Sequence, residues 1–259
     1  MCLIAFAWNV HPRWRLVLLG NRDEFHARPS AALAHWPDSP VMAGRDLQAG
    51  GTWLGVTAAG RCAVVTNVRD PQASLAGWSR GLLVSDYLSG ARGASVQART
   101  LLAKAASYRP FNLLLFDAHA ALALGNHPRP HVRTLGPGVH ALSNAELDTP
   151  WPKTCAIRQR LRAWVARADD DPLPLLAALA DEQVAADEQL PDTGIGLERE
   201  RWLSSAFVRG DRYGTRASTL VAIAHDGSGL LVERSFGPGG RAERETRLDF
   251  AASSSAVRE

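Results

Sequence analysis

The sequence contains little of what marks secreted, membrane-spanning or metal-binding proteins. It has three cysteines (Cys2, Cys62 and Cys155), and this odd number without C-x-x-C spacing predicts neither a disulfide framework nor a structural zinc site. No apolar run approaches the roughly 18 to 20 residues needed to cross a bilayer. The residues after Met1 lack the positive charge of a secretory signal. We therefore expect a soluble, cytoplasmic protein with reduced thiols and no membrane span.

Lysine is also scarce, since all but two of the 29 basic residues are arginine. These residues are spread along the chain, so the net charge of +3 arises without the clustered basic face that nucleic-acid binding needs. The eight histidines lack tight metal-ligand spacing such as H-E-x-x-H. We expect no nucleic-acid partner, no metal site and no required cofactor.

Apolar residues make up 46% of the chain, enough for a sizeable core. Their patterns predict strands at residues 3–8, 14–19, 52–56, 62–66, 111–116, 120–125, 218–224, 230–236 and 241–250. Helical spacing predicts two helices within 79–107 and two more at 154–167 and 174–184. Because hairpins this short cannot bury themselves alone, we expect an α+β fold of two packed sheets with helices outside. No linker divides the chain, so residues 1–250 are predicted to form one domain and 251–259 a disordered tail.

Cys2 is the first candidate for chemistry. A small side chain behind Met1 allows aminopeptidases to remove the methionine, which would leave a thiol and a free α-amine on one residue. An α-amine has a pKa of about 7.7 to 8.0 and a free thiol one of about 8.5, so the amine could accept the thiol proton near neutral pH. The alternative is that Cys2 is a small apolar strand residue beside Leu3 and Ile4.

The segment 20–25, GNRDEF, ends an apolar strand with four consecutive polar side chains. An arginine near a thiol lowers the thiol pKa, and an acidic neighbour can orient that arginine. Arg22 and Asp23 are therefore candidates to support Cys2. A solvated turn is the alternative interpretation.

Two asparagines and a late arginine complete the candidate set. Asn67 and Asn144 each place a carboxamide after an apolar stretch, where it could donate to a developing oxyanion, although isolated asparagines are more often turn formers. Arg216 precedes the predicted strand at 218–224 and would ordinarily form a surface salt bridge.

Seven motifs follow one another along the chain: MCLI at 1–4, GNRDEF at 20–25, AGRDLQAGGTWLG at 43–55, TNVRD at 66–70, LSN at 142–144, TPWPK at 149–153 and YGTR at 213–216. Through them the sequence strongly resembles the NRDE-motif family, which includes the transport and Golgi organisation protein two-like proteins. That family is similar in turn to N-terminal nucleophile hydrolases of the penicillin V acylase and bile salt hydrolase type. The resemblance implies a four-layer αββα sandwich.

The resemblance also implies roles for the candidate residues. Cys2 would be the nucleophile, Arg22 and Asp23 its supporting pair, Asn67 an oxyanion donor, Asn144 a substrate or oxyanion contact, and Arg216 a further site arginine. The hydrolases place Arg before Asn with a spacer before Asp, whereas here Asn21 precedes Arg22 and Asp23 follows directly. Arg201, which also precedes an apolar stretch, competes with Arg216 for the role of late arginine, and Arg216 is preferred.

Two functions fit these residues. The leading hypothesis is a cysteine amidohydrolase that cleaves a linear, non-peptide amide of a small acylated substrate without a metal or cofactor. The alternative is a carrier in haem trafficking or in lipid or acyl-CoA metabolism that uses the same cleft; Cys2, Met42 and histidines such as His127, His131 and His140 could supply a haem ligand. An inactive scaffold is a third possibility, and the pattern leaves the oligomeric state open.

Overall fold

The short apolar strands assemble into two antiparallel sheets. The computed structural model describes residues 2–74 and 76–251, so most of the tail predicted at 251–259 lies outside the described residues. In this part of the chain, the spatial order of the first sheet is β10 (Gly138–Leu142), β1 (Cys2–Trp8), β2 (Trp14–Phe25), β11 (Tyr213–Ala224), β12 (Gly229–Phe236) and β13 (Ala242–Phe250). That of the second is β3 (Ser30–His35), β4 (Val41–Asp46), β5 (Leu54–Thr57), β6 (Cys62–Asn67), β7 (Phe111–Phe116), β8 (Ala121–Gly125) and β9 (His131–Thr134).

Helices cover the outer faces of the sheets. Helices α1 (Gly81–Ser89) and α2 (Ala94–Leu102) pack on the second sheet, and α3 (Pro152–Arg167) packs on the first. A short α4 (Leu197–Trp202) precedes β11, and 3₁₀ turns occur at Ala105–Ser107, Leu173–Ala180, Asp187–Gln189 and Pro238–Gly240. No helix in the described ranges is long and apolar enough to span a membrane.

The four layers follow from strands that are apolar on both faces. In β1, Ile4 and Phe6 point into the core between the sheets, whereas Leu3 and Ala5 face the helical layer that contains α3. A third cluster lies between the second sheet and α1 and α2. The prediction of a four-layer α+β sandwich is therefore confirmed.

Local structure departs from the sequence prediction in several places, and β3, β4, β9, β10 and α4 were not predicted. Residues 174–184 were expected to form a helix, but the chain forms 3₁₀ turns at Leu173–Ala180 and is extended at Asp181. Two contacts hold Asp181 there: its carbonyl accepts a hydrogen bond from the amide of Phe207, and its carboxylate pairs with Arg160. The strand predicted at 14–19 also continues through the polar GNRDEF segment, because pairing with β11 carries β2 on to Phe25.

Gly51 lets α1 approach the second sheet just before β5. The amide of Thr52 donates to the carbonyl of Gly81 over 3.2 Å, and a Cβ on Gly51 would lie 2.3 Å from the carbonyl carbon of Gly81. Only glycine permits this contact between two backbones.

We expect Gly51→Ala to lower the free energy of unfolding by about 1–3 kcal/mol, because the backbone of α1 must move to accept the methyl group. Gly136→Ala is the matched control, since a Cβ there meets nothing within 4 Å. Denaturant unfolding of both variants checks the prediction, and equal stability of the two would contradict it.

Candidate functional site

The register between β1 and β2 positions the candidate nucleophile. Cys2 opens β1 directly opposite Arg22 in the antiparallel pair. On its other side β2 pairs with β11, where Asp23 lies opposite Thr215. The carbonyl of Cys2 accepts a hydrogen bond of 2.9 Å from the hydroxyl of Ser143, just after β10. The start of β1 therefore lies between β10 and β2, and β11 follows on the far side of β2.

Burial controls the state of the Cys2 thiol. Desolvation raises its pKa above the ordinary value; Arg22 and a hydrogen bond from the backbone amide of Asp23 lower the pKa, whereas the carboxylate of Asp23 raises it further. The net direction is upward, so the thiol is protonated at neutral pH and needs a base to become a nucleophile.

Asp23 is buried and held from two directions. Its Oδ1 accepts a hydrogen bond of 2.7 Å from the hydroxyl of Thr215, and its backbone carbonyl accepts one of 3.1 Å from the hydroxyl of Tyr213. Thr215 Oγ1 accepts in turn from the amide of Val208 at 2.9 Å. These bonds fix the carboxylate beside Cys2 and Arg22.

Asn144 holds Asn67 in place. The Nδ2 of Asn144 donates to the backbone carbonyl of Asn67 at 3.0 Å and to its Oδ1 at 2.9 Å. The carbonyl of Asn144 also accepts a hydrogen bond from the amide of Arg69 at 2.7 Å. Because Asn67 accepts through Oδ1, its Nδ2 is the end of the amide that can donate. Here Nδ2 donates to the carbonyl of Val68 over 3.3 Å.

Four of the six predicted site residues line one cavity of about 270 Å³, which we call the Cys2 cavity. It is lined by Cys2, Arg22, Asp23, Glu24, Arg28, Asp46, Thr52, Trp53, Val65, Thr66, Asn67, Ser79, Arg80, Gly81, Arg109 and Tyr213. The Arg22 guanidinium lies over the ring of Trp53, 4.5 Å from its centroid. Asn144 lies behind Asn67, outside this lining.

Arg216 lines a second cavity, also of about 270 Å³, which shares Arg22 and Trp53 with the first. It is the extra residue where the β11–β2 register shifts, and its Nη1 donates to the carbonyls of Phe25, His26 and Arg28. Arg216 therefore holds the turn that follows β2. Its competitor Arg201 is half exposed and pairs with Asp187 away from both cavities.

A buried charged cluster beside the site was missed by the sequence analysis. Arg69 pairs with Glu200 at 2.5 Å, with side chains only 5% and 3% exposed, and its guanidinium lies 4.7 Å from the centroid of the Trp151 ring. Lys153 donates to the carbonyl of Leu203 at 2.8 Å. Burial lowers the pKa of Lys153 to about 8, although the nearby carboxylate of Asp23 opposes that shift. Arg69 and Lys153 lie in the TNVRD and TPWPK motifs, and that membership was the only signal for them.

The candidate haem ligands do not gather at the site. Met42 is buried in the core between the sheets, His140 is bound to Asp148, and His127 is bound to Asp70. Of the described residues that line the two cavities, none is a histidine. Within the described ranges, no group of three or more His, Cys, Asp or Glu residues is arranged to hold a metal ion.

Comparison with known proteins identifies the family of the chain. The family model described as Transport and Golgi organisation 2 matches residues 1–238. The chain belongs to that family. It is 34% identical over 257 residues to the Transport and Golgi organization protein 2 homologs of Bos taurus and Homo sapiens, covering 91% of this chain and 93% of each relative. The predicted family is thereby confirmed.

A solved structure shares the fold. A variant of the conjugated bile acid hydrolase from Clostridium perfringens superposes with a TM-score of 0.54 over 96% of this chain and 92% of its own, at 7% sequence identity. The two proteins share the same overall fold. At this identity the likeness concerns the fold alone.

We expect Glu200→Gln to lower the free energy of unfolding by about 3–5 kcal/mol, because it leaves the Arg69 charge buried without its carboxylate. The neighbouring Arg201→Gln is the control: its ion pair with Asp187 is exposed, so its removal should leave stability unchanged. Thermal or denaturant unfolding of both variants distinguishes them, and equal losses would contradict the buried-pair interpretation.

Proposed function

We propose that this protein is an N-terminal cysteine nucleophile hydrolase that cleaves a non-peptide amide of a small acylated substrate. The observation that carries the proposal is the placement of Cys2 at the start of β1, opposite Arg22, in a cavity that Asp23 and Asn67 also line. The fold shared with a bile acid hydrolase supports it.

The acylation step follows from the residues present once Met1 has been removed. The free α-amine of Cys2 takes the thiol proton, and the sulfur attacks the carbonyl carbon of the amide. Asn67 Nδ2 donates to the oxyanion that forms, while Asn144 holds the amide of Asn67 in that orientation. The ammonium group then gives its proton to the leaving nitrogen, which departs as an amine and leaves an acyl thioester on Cys2.

Deacylation uses the same groups, with water in place of the thiol as the nucleophile. The α-amine takes a proton from water, the hydroxide attacks the thioester carbonyl, and Asn67 Nδ2 again donates a hydrogen bond to the oxyanion. Collapse of the tetrahedral intermediate releases the carboxylic acid and the Cys2 thiolate, and the ammonium group returns its proton to the sulfur. Asp23, fixed by Thr215 and Tyr213, provides a negative charge near the ammonium form that exists between the two proton transfers.

The lining of the Cys2 cavity favours catalysis over carriage. Of the candidate haem ligands named from the sequence, Cys2 alone lines it, and charged side chains occupy much of its wall. An extended lipid or haem would have to desolvate these charges. Haem titration tests the carrier: a Soret shift that saturates near one equivalent and persists in Cys2→Ser would favour it.

Mass spectrometry after a brief, limiting dose of iodoacetamide tests the nucleophile. We expect Met1 to be absent and Cys2 to be alkylated well ahead of Cys62, which is fully buried and whose pKa burial raises strongly. An N-terminally extended form that keeps Cys2 inside the chain is the control. Its thiol keeps a raised pKa without an adjacent amine, so at pH 7–8 it should react about tenfold more slowly, and its rate should climb as pH rises past 9.

Retention of Met1 in the native protein, or an inert Cys2, would overturn the hydrolase mechanism and make ligand carriage the leading interpretation. A second readout is amine release from a panel of N-acyl amides. Cys2→Ala should abolish release with little change in thermal stability, whereas full turnover by that variant would contradict the mechanism.

A further inference from the structure

The Cys2 cavity contains more positive than negative side chains. Arg22, Arg28, Arg80 and Arg109 line it together with three carboxylates. Most of these groups balance one another: Arg28 bonds Asp46 at 2.7 Å and lies 3.8 Å from Glu24, and Glu24 lies 3.9 Å from Arg22. The carboxylates are therefore engaged on the side of the cavity that β2 and β4 form.

Arg80 and Arg109 also line this cavity. Among the described residues, no ion pair includes either of them. Arg80 donates to the carbonyl of Pro110 at 3.2 Å, and Arg109 is exposed. Burial lowers the pKa of Arg80, and the Cys2 thiolate would raise it. The nearby charge of Arg109 lowers this pKa further, and the carboxylate of Glu24 partly opposes it. Two like charges thus lie close together within electrostatic range of the nucleophile.

The start of α1 adds to the positive potential of this cavity. Ser79, Arg80 and Gly81 line the cavity where the helix begins, and the first turn of α1 contains no acidic residue and no side-chain cap. Helix N-termini carry a partial positive charge that favours anions.

A buried donor in the same lining lacks a partner. The side chain of Arg22 is 7% exposed, and among the described residues its Nη1 has no hydrogen-bond acceptor. Leaving a charged donor unsatisfied in a buried place is costly. A negatively charged oxygen of a bound molecule would satisfy it.

From these observations we infer that the Cys2 cavity binds an anionic substrate, whose carboxylate or phosphate oxygens contact Arg80 and Arg109 at the start of α1. The inference rests on the proposed function and narrows its substrate to acyl amides that carry an oxyanion near the scissile bond. Arg80 and Arg109 would contact the substrate without taking part in bond breaking.

The first experiment compares two alkylating reagents that differ in charge. Cys2 labelling by iodoacetate and by iodoacetamide is followed by mass spectrometry, and the ratio of the two rates is divided by the same ratio for a free thiol such as glutathione. We expect a normalised ratio above one that falls about threefold in Arg109→Gln, the effect of removing one unit charge near a partly solvated cavity. High salt should also reduce it.

Arg133→Gln is the matched control, because it removes the same charge from the exposed strand β9, outside both cavities. A ratio lowered in Arg109→Gln and unchanged in Arg133→Gln supports the anion site. If Cys2 reacts with both reagents at the free-thiol ratio, the anion site is overturned while the nucleophile stands.

If Cys2 reacts with neither reagent, the proposed hydrolase function is overturned but the anion site is not. A second measurement then tests the anion site without using Cys2. The melting temperature is followed during titration with inorganic phosphate and, separately, with acetate at constant ionic strength. Saturable stabilisation by either anion that is lost in Arg109→Gln and kept in Arg133→Gln supports the site, and the stronger anion identifies the oxyanion class. Equal responses in the wild type and Arg109→Gln overturn it.

Discussion

The register of β2 between its two neighbours is the constraint on which the candidate site depends. It places Arg22 opposite Cys2 on one side and Asp23 opposite Thr215 on the other. A slip of one residue would move every side chain of β2 to the other face of the sheet. Both faces of β2 are buried, so such a slip would exchange the residues packed in two separate cores. The packing of the sandwich therefore holds the polar end of β2 in place.

Burial then sets the chemistry of the groups that this register brings together. Because the pKa of the Cys2 thiol is raised, a nearby base must accept its proton, and the α-amine of the same residue would be the nearest such base. The same desolvation makes Lys153 easier to deprotonate and makes the pair between Arg69 and Glu200 costly to break. The paired charges, such as Arg69 with Glu200, stabilise the structure around the site. We infer that Arg80 and Arg109, which form no ion pair among the described residues, contact the substrate instead.

Sequence patterns predicted the strands whose apolar residues are continuous and the helices whose spacing is regular. They missed β3, β4, β9 and β10, because these strands are short and lack a clear alternation; all four residues of β9 are exposed. They also gave no reason to single out Arg80 or Arg109, and the only signal for Lys153 was its place in the TPWPK motif. An arginine in a loop is ordinary until the fold shows that its neighbours carry the same charge, and a lysine in a helix is ordinary until its ammonium group is buried.

The sequence by itself determined the family, the two-sheet class of the fold and the identity of Cys2 as the candidate nucleophile, because ordered motifs and apolar periodicity are local properties of a chain. The tertiary structure decided which groups act together. Asn144 holds Asn67 across 77 residues of sequence, and Thr215 holds Asp23 across 192. The tertiary structure also places Arg216, which supports a turn, outside the lining of the cavity that contains Cys2. Hydrogen bonds and pKa shifts depend on distance and desolvation in space, and those quantities exist only once the strands are paired and the sheets are packed.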